Sequence, residues 1–190
     1  KEKKNYTESL GLIYLSTPFS RSAANFLDEI GVEAFKIGSG EADNLPLIEH
    51  VASFGKPIIM STGMHSFSSL KGSVDIIEKY GLDFALLECT SAYPSPPETV
   101  RLSAIAELKQ NFPRAIVGFS DHSIGTTMSI AASALGAKII EKHFTDTRYR
   151  KGPDIVCSMD PSELKLLIER SIEIHQALQS KKEQLPIEKK

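Results

Sequence analysis

"VGFSDHSIG", residues 117–125, carries an apolar, β-branched run straight into a serine, an aspartate and a histidine before a helical pattern starts. "KIIEKHFTD", residues 138–146, does the same with a glutamate and a second histidine. Short apolar runs separated by helix-period segments are the pattern of parallel strands joined by crossover helices. Ionisable groups at the ends of two such strands point to one shared site.

The same unit recurs along the chain. Strands are predicted at Gly11–Thr17, Ala34–Ser39, Pro57–Thr62, Phe84–Thr90, Ala115–Ser120 and Ala137–Phe144. Helices are predicted at Ser20–Ile30, Asn44–Phe54, Ser66–Tyr80, Glu98–Asn111 and Ile124–Leu135. A last helix opens at Asp160, an N-cap with Pro161 at the first helical position and Glu163 three residues after the cap.

Each predicted strand runs into polar or glycine residues (STPF, GSGE, STGM, CTSAYP, FSDH, EKHF), whereas the strand starts are plain. Chemistry at one end of every strand suits a (β/α) barrel, because an open doubly wound sheet gathers its site near a single switch point. The expected class is α/β, a TIM-type (β/α) barrel. Six strands do not close the usual barrel of eight, so a partial barrel of six βα units lacking the first two is expected. It would occupy residues 1–179, with 180–190 a polar tail or linker. The opening KKNYTESLG reads as the end of a helix, and open strand edges would need covering.

With 41% hydrophobic and 24% charged residues, the chain has the composition of an ordinary globular protein. A net charge of -2 with scattered lysines and arginines offers no basic field for nucleic acid. Apolar runs long enough to span a bilayer are missing from the sequence, and its charged start is unlike a signal peptide, so a cytoplasmic location is expected. Cys89 and Cys157 form no metal-ligand pair by spacing and read as buried or incidental thiols.

His122 and His143, at adjacent strand ends, form a natural pair of ligands for a divalent cation that keeps open positions for water and substrate. They would equally serve as hydrogen-bonding groups in a polar barrel mouth. Asp121 and Glu141 beside them can orient the rings or bind metal or substrate directly. His50 and His175 fall within helices, and His65 opens a loop near a strand end. Lys36 lies inside an apolar strand, where a buried ammonium needs an anionic ligand or a carboxylate such as Glu41. The alternative is a snorkelling lysine on an edge strand. Thr17, Ser39, Ser61, Ser91 and Ser120 sit at or just past strand ends, and with Lys36 they would cradle a phosphate or carboxylate. Tyr93 begins a stiff Tyr-Pro loop that either shapes a sugar pocket or simply packs. Asp154 lies in a Gly-Pro loop and either meets sugar hydroxyls or caps that loop.

The ordered set YLSTPF, FKIGSGE, NLPLIEH, GKPIIMSTGM, LLECTSAYP, VGFSDHSIG, ALGAKIIEKHF and KGPD resembles the sialic acid synthase family over nearly the whole chain. That family condenses phosphoenolpyruvate with an N-acylated aminosugar of the N-acetylmannosamine type and releases phosphate. The resemblance implies a (β/α) barrel followed by an antifreeze-like domain, a homodimer, and a manganese or magnesium ion. His122 and His143 would bind the metal. Thr17, Lys36, Ser39, Ser61, Ser91 and Ser120 would hold phosphoenolpyruvate, with Ser91 standing where some bacterial members have asparagine. Glu41, Tyr93, Glu141 and Asp154 would face the sugar, and Lys36, Glu41 and Glu141 would form the catalytic set. The family's glutamate and lysine from its first two strands, and its arginine from the partner's antifreeze-like domain, have no counterpart in these residues. Two other readings stand beside it. A metal-dependent hydrolase of barrel fold would show a His-x-His pair, which the sequence lacks. A non-catalytic fragment that binds sugar or assembles with partners would need none of this chemistry.

Overall fold

The computed structural model describes residues 1–179; the proposed tail at 180–190 lies outside the described residues. After helix α1 (Glu2–Ser9), the chain alternates helix and strand: α2 (Arg21–Glu29), β1 (Phe35–Ile37), α3 (Leu45–Ala52), β2 (Ile58–Ser61) and α4 (Phe67–Lys79). It continues through β3 (Phe84–Cys89), α5 (Ala104–Asn111), β4 (Ile116–Asp121), α6 (Thr127–Ala134), β5 (Ile140–Lys142) and α7 (Pro161–Leu178). The strands form one parallel sheet in the order β1-β2-β3-β4-β5. A strand order that follows the sequence without reversal places every right-handed crossover on the same face, which is barrel winding and not the doubly wound arrangement.

The sheet is also curled. Strands 4.8 Å apart would set β1 and β5 about 19 Å from each other in a flat sheet. The Lys36 ammonium of β1 nevertheless stands 3.5 Å from the Glu141 carboxylate of β5. Only a sheet rolled toward its inner face brings those groups together.

Strand parity sorts the side chains between two layers. Phe35, Ile37, Ile58, Met60, Leu86 and Phe119 are buried and pack with Leu47, Ile48, Leu70, Ile77, Ile105 and Leu108 of α3, α4 and α5. The opposite parity carries Lys36, Ser61, Cys89, Ser120 and Glu141 to the concave face, where Cys89, Ser120 and Glu141 are register partners across β3, β4 and β5. Gly118 has no room for a side chain, since a Cβ there would lie 2.4 Å from Leu87 Cδ2 and 2.6 Å from the Ile139 carbonyl.

Helix signals act largely as the sequence predicts. Asn44 caps α3 and Ser66 closes a capping box at α4. Asp160 accepts from the Ser162 and Glu163 amides in a second box that opens α7. The helix expected from Glu98 begins only at Ala104, after a short 3-10 turn at Pro97–Thr99.

The six-strand expectation meets five strands among the described residues. Residues 11–17 run beside β1 without joining the sheet, tied to it by one bond from the Lys36 amide to the Ser16 carbonyl at 3.4 Å. Leu12, Ile13 and Leu15 stay exposed there, because a segment with a ladder on neither side has nothing to bury them against. At the other edge, an unpredicted one-residue parallel bridge joins Phe144 to Met159. Among the described residues, no helix is long and apolar enough to cross a membrane.

Candidate active site

The C-terminal ends of the five strands surround an open cleft of about 690 Å³. Ten of the twelve residues to which the family resemblance assigns a role line it: Thr17, Lys36, Ser39, Ser61, Ser91, Tyr93, Ser120, His122, Glu141 and His143.

Lys36 anchors one side. It is 8% exposed, and its ammonium donates to Ser61 Oγ at 2.8 Å and to the Ile37 carbonyl at 2.9 Å. Burial pushes its pKa below the usual lysine range, and the Glu141 carboxylate only partly offsets this. A buried ammonium with one carboxylate beside it is a strong point of attraction for a further anion. Glu141 in turn accepts from Ser120 Oγ at 2.7 Å. Ser39, Ser91 and Ser120 crowd the Cys89 thiol, whose pKa is raised chiefly by burial. The Gly63 amide donates to Ser39 Oγ at 3.0 Å, and a Cβ on Gly63 would fall 2.4 Å from Ser91 Oγ. Glycine at this position lets the hydroxyls close over the strand ends.

The histidines form the other side. His122 Nδ1 lies 2.9 Å from the Thr90 carbonyl, which can only accept, so Nδ1 donates there, and in the neutral ring the lone pair falls to Nε2. Burial lowers the His143 pKa, with the neighbouring His122 acting in the same direction and Asp154 against it. The two ring centres are 5.4 Å apart with planes at 46°. A cation about 2.1 Å from one nitrogen of each ring sits roughly 3.2 Å from each ring centre, which allows centre separations of roughly 4.6–6.4 Å. The separation of the two rings falls within that range. Among the described residues, no three His, Cys, Asp or Glu side chains are grouped around one cation position, so most coordination sites would fall to water and substrate. The Tyr93 ring covers His122 at a centroid distance of 4.0 Å and meets His143 edge-on at 5.8 Å.

Two carboxylates, Glu41 and Asp121, depart from their sequence reading. Glu41, offered as a partner for Lys36, accepts instead from Asn44 Nδ2 at 2.6 Å and does not line the cleft, because it belongs to a 3-10 turn past the end of β1 where strand parity no longer applies. Glu141 takes its place beside Lys36. Asp154 also lies outside the lining, with Oδ2 4.0 Å from His143 Nδ1. Asp121, offered as a group that orients the rings or binds metal or substrate, has the helix-facing parity of β4 and pairs with Lys142 at 3.0 Å. Of the other histidines, His50 bonds Asn25 and His65 holds the Ser39 carbonyl at 2.8 Å, a support for the hydroxyl cradle.

Cys89, Phe19, Met64 and Lys142 line the cleft although the sequence reading gives them no part in it. Both cysteines are buried and free, as read, but Cys89 shares the inward parity of Ser91, and that parity was the available signal. Met64 has a φ of 67°, the sole positive value among the described non-glycine residues, which turns the loop after β2 over the cleft.

A rolled parallel sheet with a buried ammonium, hydroxyls and an imidazole pair at the C-terminal ends of its strands is part of a (β/α) barrel, with polar groups gathered where that fold places its sites. Residues 1–183 match the NeuB family, and the chain belongs to it. It is 38% identical over 185 residues to N-acetylneuraminate-9-phosphate synthase of Homo sapiens, covering 97% of this chain and 52% of that protein. It is 40% identical over 181 residues to N,N'-diacetyllegionaminic acid synthase of Campylobacter jejuni, covering 94% and 54%. The structure of an N-acetylneuraminic acid synthetase from Leptospira borgpetersenii, solved with citrate, superposes with a TM-score of 0.93 at 37% identity, covering 97% of this chain and 65% of that one. The chain thus spans about half the length of the curated relatives it matches.

Proposed function

We propose that this half-barrel carries the active site of a nonulosonic acid synthase that condenses phosphoenolpyruvate with an N-acylated aminosugar. The observation that carries the reading is the buried Lys36 ammonium, set among hydroxyls in the same cleft as the His122–His143 pair. An enol phosphate needs a cationic, hydroxyl-lined pocket, and an aldehyde acceptor needs an electrophilic activator beside it. The relatives' printed names cover both sialic and legionaminic acids, which supports the product class without fixing the acceptor.

Lys36 and the hydroxyls of Thr17, Ser39, Ser61, Ser91 and Ser120 would hold the phosphate and carboxylate of phosphoenolpyruvate. Its enol carbon would attack the aldehyde of the open-chain sugar; water then adds at the neighbouring carbon and inorganic phosphate leaves. A manganese or magnesium ion bound by His122 and His143 would supply Lewis acidity toward the aldehyde oxygen. Thr90, by fixing the His122 tautomer, keeps the Nε2 lone pair directed to the cleft. Glu141, held by Ser120 and Lys36, presents a carboxylate that can take a proton from the attacking water. Tyr93 would shape the sugar side, and Glu41 and Asp154, outside the cleft wall, would serve the acceptor's outer hydroxyls. A cytoplasmic homodimer goes with the same reading.

In the full-length protein, His122→Ala and Lys36→Ala should each abolish turnover of phosphoenolpyruvate with N-acetylmannosamine and with diacetylated aminosugars. Turnover like that of the unsubstituted enzyme from either variant would remove the mechanism.

A further inference from the structure

Directly behind the histidine pair, on the helix-facing side of the sheet, lies a buried ion pair that the mechanism does not use. Asp121 and Lys142 are register partners across β4 and β5, each one residue before a histidine. Their charged groups are 3.0 Å apart, with side-chain exposures of 0% and 1%. Strand alternation explains the division: His122 and His143 line the cleft, and the Asp121 and Lys142 side chains pair on the opposite face, although Lys142 also borders the cleft wall.

Every polar side-chain atom of the cluster has a partner. Asp121 Oδ1 accepts from the Ser123 amide at 2.8 Å and from Ser123 Oγ at 2.6 Å, while Oδ2 accepts from Ser129 Oγ of α6 at 2.5 Å. Lys142 donates to the Ser123 carbonyl at 2.6 Å. His122 is thereby clamped between two residues of the cluster, and the same ammonium ties that clamp to the residue before His143. β5 has only three residues, and past Lys142 its end is held by the Met159 amide, which donates to the His143 carbonyl at 2.8 Å, so on the β4 side the Lys142 ammonium is what ties it to the His122 turn. A buried ion pair contributes little net stability over an apolar pair of similar volume, and its attested use is to fix one arrangement among several. The arrangement fixed in this case is the spacing of two metal-ligand candidates.

We infer that Asp121 and Lys142 form a positioning pair that sets the separation of His122 and His143 for a shared divalent cation. This rests on the cation reading given above. Neither residue touches the cation; both act through the backbone they join.

The test is Mn2+ binding to the full-length protein without substrates, followed by electron paramagnetic resonance and calorimetry, with thermal melting alongside. The double variant Asp121→Leu/Lys142→Met removes both charges at similar volume. It should melt no lower than the unsubstituted protein yet bind Mn2+ at least tenfold more weakly. Asp121→Asn, nearly isosteric, keeps one oxygen to accept from Ser123 and turns its amide NH2 to Ser129 Oγ; it should also weaken Mn2+ and serves if the double variant does not fold. Unchanged Mn2+ affinity in a folded variant overturns the inference and leaves the pair a purely structural one. His122→Ala should bind no Mn2+ at this site. If the unsubstituted protein itself binds none there, the cation reading falls, and the inference with it.

Discussion

Lys36 and Glu141 stand on the two outermost strands of the sheet, and their charged groups are 3.5 Å apart across the concave face. The ammonium that would hold an incoming anion is thus already engaged by a carboxylate that an anionic ligand must displace or accommodate. Ion pair, hydroxyl cradle and curvature are one feature seen from three sides.

Lys36→Met removes the charge from a buried stem of similar volume. The Glu141 side chain is 42% exposed, so it rehydrates when its partner goes, and the melting temperature should change little or rise. A hydrogen bond to a charged group contributes about 1.5–3 kcal/mol, so phosphoenolpyruvate affinity should fall about ten- to hundredfold by calorimetry. Equal affinity in variant and parent would show that the anion binds elsewhere.

The lowered Lys36 pKa makes anion binding pH-dependent. The unfolded chain keeps its lysine proton to higher pH than the folded one, so stability of the ligand-free protein should rise with pH between the lowered folded pKa and the usual lysine value. A bound anion favours the charged ammonium and reverses the trend: affinity for phosphoenolpyruvate should fall as pH rises through the folded pKa, with proton uptake on binding in that range. Calorimetry in buffers of different ionisation enthalpy reads the uptake directly, and Lys36→Met should abolish it.

Gly63→Ala tests the hydroxyl cradle without removing a donor. The new Cβ would lie 2.4 Å from Ser91 Oγ, 2.9 Å from Ser39 Oγ and 3.2 Å from Cys89 Sγ, so the serines must turn away. Overpacking of this kind costs about 1–3 kcal/mol, spread between lower stability and weaker anion binding. Adding Ser91→Gly removes the shortest clash and should recover part of the lost stability, read by thermal melting. A single variant that binds phosphoenolpyruvate normally would show that these hydroxyls do not form the anion site.

Much of this site was legible because strand parity is a strict rule. Lys36, Ser120, Glu141, His122 and His143 could be placed together from their positions in apolar runs, and the structure brings all five into one cleft. Where parity ends, the reading weakens. Glu41 sits in a 3-10 turn whose direction no period specifies. Asp121 was weighed by its proximity to His122 in sequence, although alternation sends neighbours to opposite faces. The segment at 11–17 has a strand's composition, but pairing is a property of two segments, and this one gains a single bond to β1. Cys89 was judged by metal-ligand spacing alone, a test blind to its place on the cleft floor.

Glu88, on the helix-facing side of β3, offers a test of the scaffold apart from the cleft. It is 4% exposed and bonded by Arg101, Nε to Oε1 at 3.1 Å. Burial raises its pKa, with Arg101 opposing the shift. The folded state therefore holds a proton on Glu88 more tightly than the unfolded chain does, and stability falls as pH rises from the unfolded glutamate pKa through the folded one. Arg101→Ala removes the opposing charge, leaves a buried carboxylate short of donors, and should cost about 1–3 kcal/mol at neutral pH. The loss should shrink as pH falls and Glu88 takes up a proton. Glu88→Gln placed in the Arg101→Ala background removes the ionisable group and should flatten that pH dependence, as read by urea unfolding across the acid range. A loss that is constant with pH would mean that Arg101 supports the loop after β3 through the Cys89 carbonyl, 2.8 Å from its other nitrogen, and not through its charge on Glu88.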